Sequence, residues 1–228
     1  MVVFGTHPAD FNMVEYAQKL RHFLPELKAK GIDKFVVVVN GEPASCAKLA
    51  SLLDLPSEIE LLSDPSGEAG RSFGVSRGWR ADDAEMNAYL KLWLMLFGLG
   101  PPMTLAAVLS GYIGNPDGKR AWIETAIEQG QAAGRWPGKV IVDGQNGFND
   151  LPLVGGWGRR PLELATLRLQ NLVGVAFQNW DALKPTDERC LTQLGGCTVV
   201  GAGGGADYSW FDNGICDTPD FDDLLAML

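Results

Sequence analysis

VVFGTHPADFNMVEYAQKL, residues 2 to 20, contains the change of period that decides the fold. Its first four residues, VVFG, are an apolar run that reads as a strand. From Asn12 onward, Met13, Val14, Ala17, Leu20, Leu24 and Leu27 recur at the spacing of a helix buried along one face. Gly31 breaks that helix, and KFVVVVN (34 to 40) is too apolar for a strand with one wet face, so it belongs inside a sheet. PASCAKLASLLDL (43 to 55) reads as the next helix and EIELLSD (58 to 64) as a third strand. PSGEAGRSFGV (65 to 75) reads as a turn with a short helical piece. Strand and helix in alternation signal a layered α/β domain.

Near Arg77 the pattern changes. DDAEMNAYLKLWLMLFGL (82 to 99) and TLAAVLSGYIG (104 to 114) read as two helices joined at Pro101 and Pro102. Gly- and Trp-rich loops follow, with one strand candidate, KVIVDG (139 to 144). RPLELATLRLQNLVGVAFQNW (160 to 180) reads as one long helix, with Pro161 in its first turn and Glu163 at its positive end. The tail returns to strands at CTVVG (197 to 201) and ADYSWF (206 to 211), then closes with a helix in PDFDDLLAML. The expectation is a single domain of 228 residues: a core of about 1–79 and 191–228, and a mostly helical insertion over about 80–190.

Composition narrows the function. A formal net charge of −9 argues against an electrostatic grip on nucleic acid or anionic lipid. LWLMLFGLG (92 to 100) is far shorter than the roughly 20 residues that cross a bilayer. It reads as a buried helix, with peripheral membrane contact left open. The chain opens on an apolar strand without a basic leader, so no signal peptide is expected. With four cysteines in no zinc-like spacing and only two histidines, a reducing cytoplasmic setting without metal or cofactor is expected.

VVGAGGGA (199 to 206) imitates a dinucleotide loop, because Gly201, Gly203 and Ala206 fit GxGxxA after a strand. That motif needs a helix next and a second strand beyond it. The extended DYSWFD and the nearby chain end leave a glycine-rich hairpin turn instead.

The opening stretch resembles the signature segment of the peroxiredoxins, the alkyl hydroperoxide reductase/thiol-specific antioxidant group, which reads like PxDFTFVCPTE. Pro8, Asp10, Phe11 and Val14 match that pattern, while Asn12 falls on its Thr and Glu15 on its peroxidatic Cys. LLSDPSGEAGRSFGV (61 to 75) and GGCTVVGAGGGADYSWFD (195 to 212) are similar to two further family segments. ELATLRLQNL (163 to 172) and LTQLGG (191 to 196) resemble a branch found in cyanobacteria and chloroplasts.

The resemblance implies an α/β thioredoxin-like mixed sheet flanked by helices. It also implies chemistry that requires a thiolate at a helix N-terminus, a Thr and an activating Arg. Glu15 has no sulfur to oxidise. The Arg position falls on Leu194 or Gly195, with Arg189 five residues before Leu194. The expected function is therefore a peroxiredoxin-like protein without peroxidase activity. It would bind or assemble with a protein partner in an oxygenic phototroph, in the cytoplasm or loosely at the thylakoid.

Asn12 and Glu15 also fit a structural role, an N-x-x-E capping box worth about 1 kcal/mol. The rival function is a thiol oxidoreductase with a relocated cysteine. Cys190 or Cys216 are its candidates, Cys216 as the most exposed with Cys190 near it; Cys197 and Cys46 read as inert. A third reading, a non-redox enzyme, would use Glu15 with His7 as its partner. Of the seven tryptophans, Trp79, Trp93, Trp122, Trp136, Trp157, Trp180 and Trp210, most are expected in the core. GGWGRRP (155 to 161) is a candidate exposed patch.

Overall fold

The computed structural model describes residues 1–113, 121–135 and 163–228. KVIVDG, GGWGRRP, Trp136, Trp157 and Pro161 lie outside the described residues. Among the described residues the sheet has five strands, in the order β3-β2-β1-β4-β5. They are β1 (Val2–Phe4), β2 (Phe35–Val39), β3 (Ile59–Ser63), β4 (Gly196–Val200) and β5 (Ala206–Phe211). β1, β2 and β3 run parallel, whereas β4 and β5 pair antiparallel. This is the mixed α/β, thioredoxin-like arrangement expected from the sequence.

Register sorts the side chains onto two faces. Val3 sits opposite both Val37 and Cys197, so these three share a face. All three join one core with Met13, Tyr16, Ala17 and Leu20 of helix α1 (Phe11–Ala29). Phe4 sits opposite Gly196, which in turn pairs with Phe211. Phe73, at the end of α3 (Glu68–Phe73), stacks on both rings, at 4.2 and 5.0 Å. A side chain at Gly196 would not fit this crossing, because an added Cβ would meet the Trp210 carbonyl oxygen at 2.6 Å. Each fully buried large side chain contributes roughly 1.5–3 kcal/mol.

Helix α2 (Pro43–Leu53) starts on its proline and buries Cys46, Leu49 and Leu53. α4 (Ala88–Leu96) starts later than the pattern suggested, because the Asn87 side chain accepts from the Tyr89 and Leu90 amides and sets the start. α5 (Thr104–Ile113) and α6 (Ala121–Ala132) follow. The single helix expected over 160 to 180 is instead a chain of short pieces. α7 (Glu163–Asn171) passes into a π-helical turn, Leu172–Ala176, then a 3-10 turn, Phe177–Asn179, then α8 (Trp180–Leu183). Asn179 donates to the Gly174 and Val175 carbonyls, replacing the regular ladder with side-chain bonds. α9 (Phe221–Met227) closes the chain.

The glycine-rich stretch is a hairpin turn. Gly201 and Gly205 are bonded across it, β5 follows directly, and Gly204 takes a φ of +79°. No dinucleotide helix starts there. Among the described residues, no helix is long and apolar enough to cross a membrane.

Candidate functional site

The site begins where β1 delivers the chain into α1. The N-cap is Asp10, in extended conformation, and its Oδ2 accepts from the Asn12 amide at 3.2 Å and the Thr6 hydroxyl at 2.6 Å. The capping box assigned to Asn12 and Glu15 is therefore corrected: the helix starts two residues earlier, because the Asp10 carboxylate reaches the free amides first. Glu15 lies in the second turn, away from the helix end. The negative charge at the dipole's positive end belongs to Asp10.

Asn12 is fully buried and acts as a clamp. Its Nδ2 donates to Asp212 Oδ2 at 2.6 Å and to the Gly214 carbonyl at 3.2 Å, and its Oδ1 accepts from the Cys216 amide at 2.7 Å. Asp212 also accepts from the Tyr16 hydroxyl at 2.7 Å and the Gly195 amide at 3.2 Å. Burial pushes the Asp212 carboxyl up to about 7, against the donors from Asn12 and Tyr16. Pro8 is buried against Gly41, where an added Cβ would meet the proline ring at 2.8 Å.

Glu15 is spent on ion pairing. Oε1 accepts from Lys19 at 3.0 Å and Thr218 at 2.6 Å, and Oε2 accepts from Arg168 Nε at 3.0 Å. Burial alone would raise this carboxyl; the Arg168 guanidinium and the Lys19 ammonium outweigh it and hold Glu15 at about 2. Arg168 also donates to the Ala107 carbonyl at 2.8 Å and the Cys216 carbonyl at 3.0 Å. It ties α1, α5, α7 and the loop after β5 together. A carboxylate so buried and so paired is held as a structural anion, 3% exposed, rather than presented to a substrate.

His7 does not pair with Glu15. It is buried, its ring stands edge-on to Trp180 at 6.1 Å, and neither ring nitrogen has a hydrogen-bond partner. Burial lowers its pKa, outweighing the pull of Asp10. Leu194 and Gly195 occupy the position expected for the activating Arg, and Arg189 turns outward to Asp187 at 2.5 Å. The guanidinium that reaches α1 comes instead from Arg168. The sequence signal was a single Arg inside the apolar run LATLRLQNL.

All four cysteines are buried. Cys216, expected to be the exposed one, is only 6% exposed, because the loop after β5 folds under Asn12 and Arg168. Burial raises its thiol to about 12, and raises Cys197 likewise. Cys190 faces the Pro65 carbonyl at 3.6 Å and Cys46 the Gly41 carbonyl at 3.9 Å, both raised to about 11 by burial. Cys190 and Cys216 thus sit among different neighbours, not as a pair.

The space at the helix start, lined by Ala9, Asp10, Phe11, Val14, Asn171, Leu172 and Ala176, amounts to about 10 Å³. That is room for one water molecule. Among the described residues, no group of three or more His, Cys, Asp or Glu could hold a metal ion.

A mixed sheet with a capped helix leaving its central parallel strand defines a thioredoxin-like α/β protein. The model of the AhpC/TSA antioxidant enzyme family matches residues 19–214, and the chain belongs to that family. No curated protein and no solved structure matches the chain. The match starts at Lys19, so the helix start and Glu15 lie upstream of it.

Proposed function

We propose that this chain is an AhpC/TSA-family protein that has given up peroxide reduction and serves by binding or assembly with a protein partner. The observation that carries this reading is Glu15. A carboxylate, bonded to Lys19, Thr218 and Arg168, occupies the position that aligns with the family's peroxidatic thiol and has no sulfur to oxidise. Further support comes from four thiols that burial keeps protonated. The likeness of ELATLRLQNL and LTQLGG to the cyanobacterial and chloroplast branch supports a phototroph as the setting.

The test is peroxide consumption by the reduced protein, with mass spectrometry of its cysteines. The expected outcome is background consumption and four unmodified thiols. Consumption that disappears in Cys216→Ser or Cys190→Ser overturns the reading.

One observation favours a second reading, a thiol oxidoreductase using Cys216: the Arg168 guanidinium lies close enough to favour the Cys216 thiolate, against the burial that raises it. A Cys216 thiolate appearing well below the ordinary value of about 8.5 would support it.

A further inference from the structure

We propose that the α4–α5 hairpin docks the protein on the surface of an uncharged or zwitterionic lipid bilayer, dipping into one leaflet without crossing it. The inference does not depend on whether thiol chemistry survives.

It starts from charge. Between Lys91 and Asp117 the sequence contains no charged residue. The stretch covers most of α4, its turn and all of α5, and it is not buried: Trp93 is 61% exposed, Phe97 62%, Leu105 49% and Leu109 54%. Together with Leu90, Leu99 and Met103, these side chains present on the order of 500–1,000 Å² of apolar surface. A typical monomer's largest patch is ~300–600 Å².

The order of residues along α4 points to lipid rather than protein. Tyr89, Trp93 and Phe97 follow each other at four-residue steps, so they form one stripe. The residue with a hydroxyl lies nearest the charged base at Asp83 and Lys91, the indole lies in the middle, and the wholly apolar ring lies at the tip. Trp93 and Phe97 touch, with centroids 4.8 Å apart. Such a gradient of polarity matches the change from headgroup to acyl chain.

The turn leaves few backbone donors bare. The Phe97, Gly98 and Leu99 amides close the end of α4, and the Met103 and Thr104 amides bond the Asn213 and Pro101 carbonyls. Pro101 and Pro102 have none to satisfy. Paired donors of this kind are what a lipid-facing turn requires. At nine and ten residues, α4 and α5 are each about 15 Å long, half of the ~30 Å hydrocarbon thickness. They therefore lie in the interface and do not span it.

Electrostatics selects the lipid. A chain with a net charge of −9, whose one basic residue in the hairpin, Lys91, is buried and bonded to the Asp83 carbonyl, gains nothing from anionic headgroups. The same charge on both partners works against a second copy on this face.

Flotation of the full chain with phosphatidylcholine vesicles tests the proposal, with tryptophan emission as a second readout. The chain should float with the vesicles and its emission shift to the blue. Trp93→Glu and Phe97→Glu, both at exposed positions, should each weaken binding roughly tenfold or more without changing the far-ultraviolet circular dichroism. Leu62→Glu, exposed on β3 away from the hairpin, should leave binding unchanged. Failure of the native chain to float overturns the proposal. So does binding that needs phosphatidylglycerol, or a concentration-dependent dimer that Phe97→Glu abolishes while no vesicle binding is seen.

Discussion

Glu15 and Asp212 are both buried carboxyls packed beside the first turns of α1, yet they respond to pH in opposite senses. Glu15 is held at about 2 against an ordinary 4.5, so its stabilisation is fully present above pH 4.5 and is lost as pH falls toward 2. The size of that contribution is about 3 kcal/mol. Asp212 is held up at about 7 against an ordinary 3.8, so folding takes up a proton between those values and stability falls as pH rises through that window. His7, lowered by burial, acts in the opposite sense, so the comparison with a variant isolates Asp212: in urea unfolding, Asp212→Asn should remove a loss of stability between about pH 4 and 7.

Arg168→Ala should cost about 3 kcal/mol in the same assay, because it leaves Glu15 in a buried site with only Lys19 and the Thr218 hydroxyl, both on Oε1. Adding Glu15→Gln should recover part of the loss, since the two residues act as one unit. The thiols give a cheaper check. All four are buried, so native protein at pH 7 should react negligibly with a disulfide reagent and denatured protein should give four equivalents. One fast native thiol would single out the cysteine on which the oxidoreductase reading depends.

At the scale of elements, α1 owes its start to Asp10 and its position to Asn12. Asp10→Ala removes the cap and the Thr6 bond and should cost about 1–2 kcal/mol by thermal unfolding. Asn12 was legible as polar but not as a clamp, because its partners Asp212, Gly214 and Cys216 lie about two hundred positions away. Gly78 sits where the loop after α3 meets the segment before β4. Its φ is +86°, and an added Cβ would meet the Thr192 carbonyl oxygen at 2.0 Å. Gly78→Ala should cost about 2 kcal/mol or more, because both strain and close backbone contact oppose it. The break of the 160–180 helix left no mark in the apolar pattern, since the bonds that set it come from Asn179; its effect is that Val173 and Phe177 are exposed while Gly174, Val175 and Ala176 are buried.

At the scale of the whole molecule, the notion of a core carrying a separable insertion over 80–190 leads to one expectation about cooperativity. Trp122, Ile123, Ile127, Leu167, Val175 and Leu183 all join the same buried cluster as Val3, Val37 and Leu20. We propose that the chain unfolds as one unit, because deleting the helical region would open that cluster to water. Denaturant unfolding followed by tryptophan fluorescence and by circular dichroism should give coincident single transitions. Two separated transitions would mean that the helical region is an independent domain.

The sequence by itself determined the strands, the helix α1, the hairpin and the α/β class, because these depend on the period of apolar residues and on local turn chemistry. Phe35–Val39 and Ala206–Phe211 could be read directly because alternation and bounding turns are local signals. Tertiary structure alone decided that Asp10, not Glu15, stands at the helix dipole, that Arg168 reaches Glu15, and that Cys216 is buried. The last two depend on which distant groups share a low-dielectric space, and sequence spacing carries no such information; the first depends on which of several local polar side chains reaches the free amides. Charge pairing and burial are set by distance in space, where 153 residues of separation between Glu15 and Arg168 reduce to 3.0 Å.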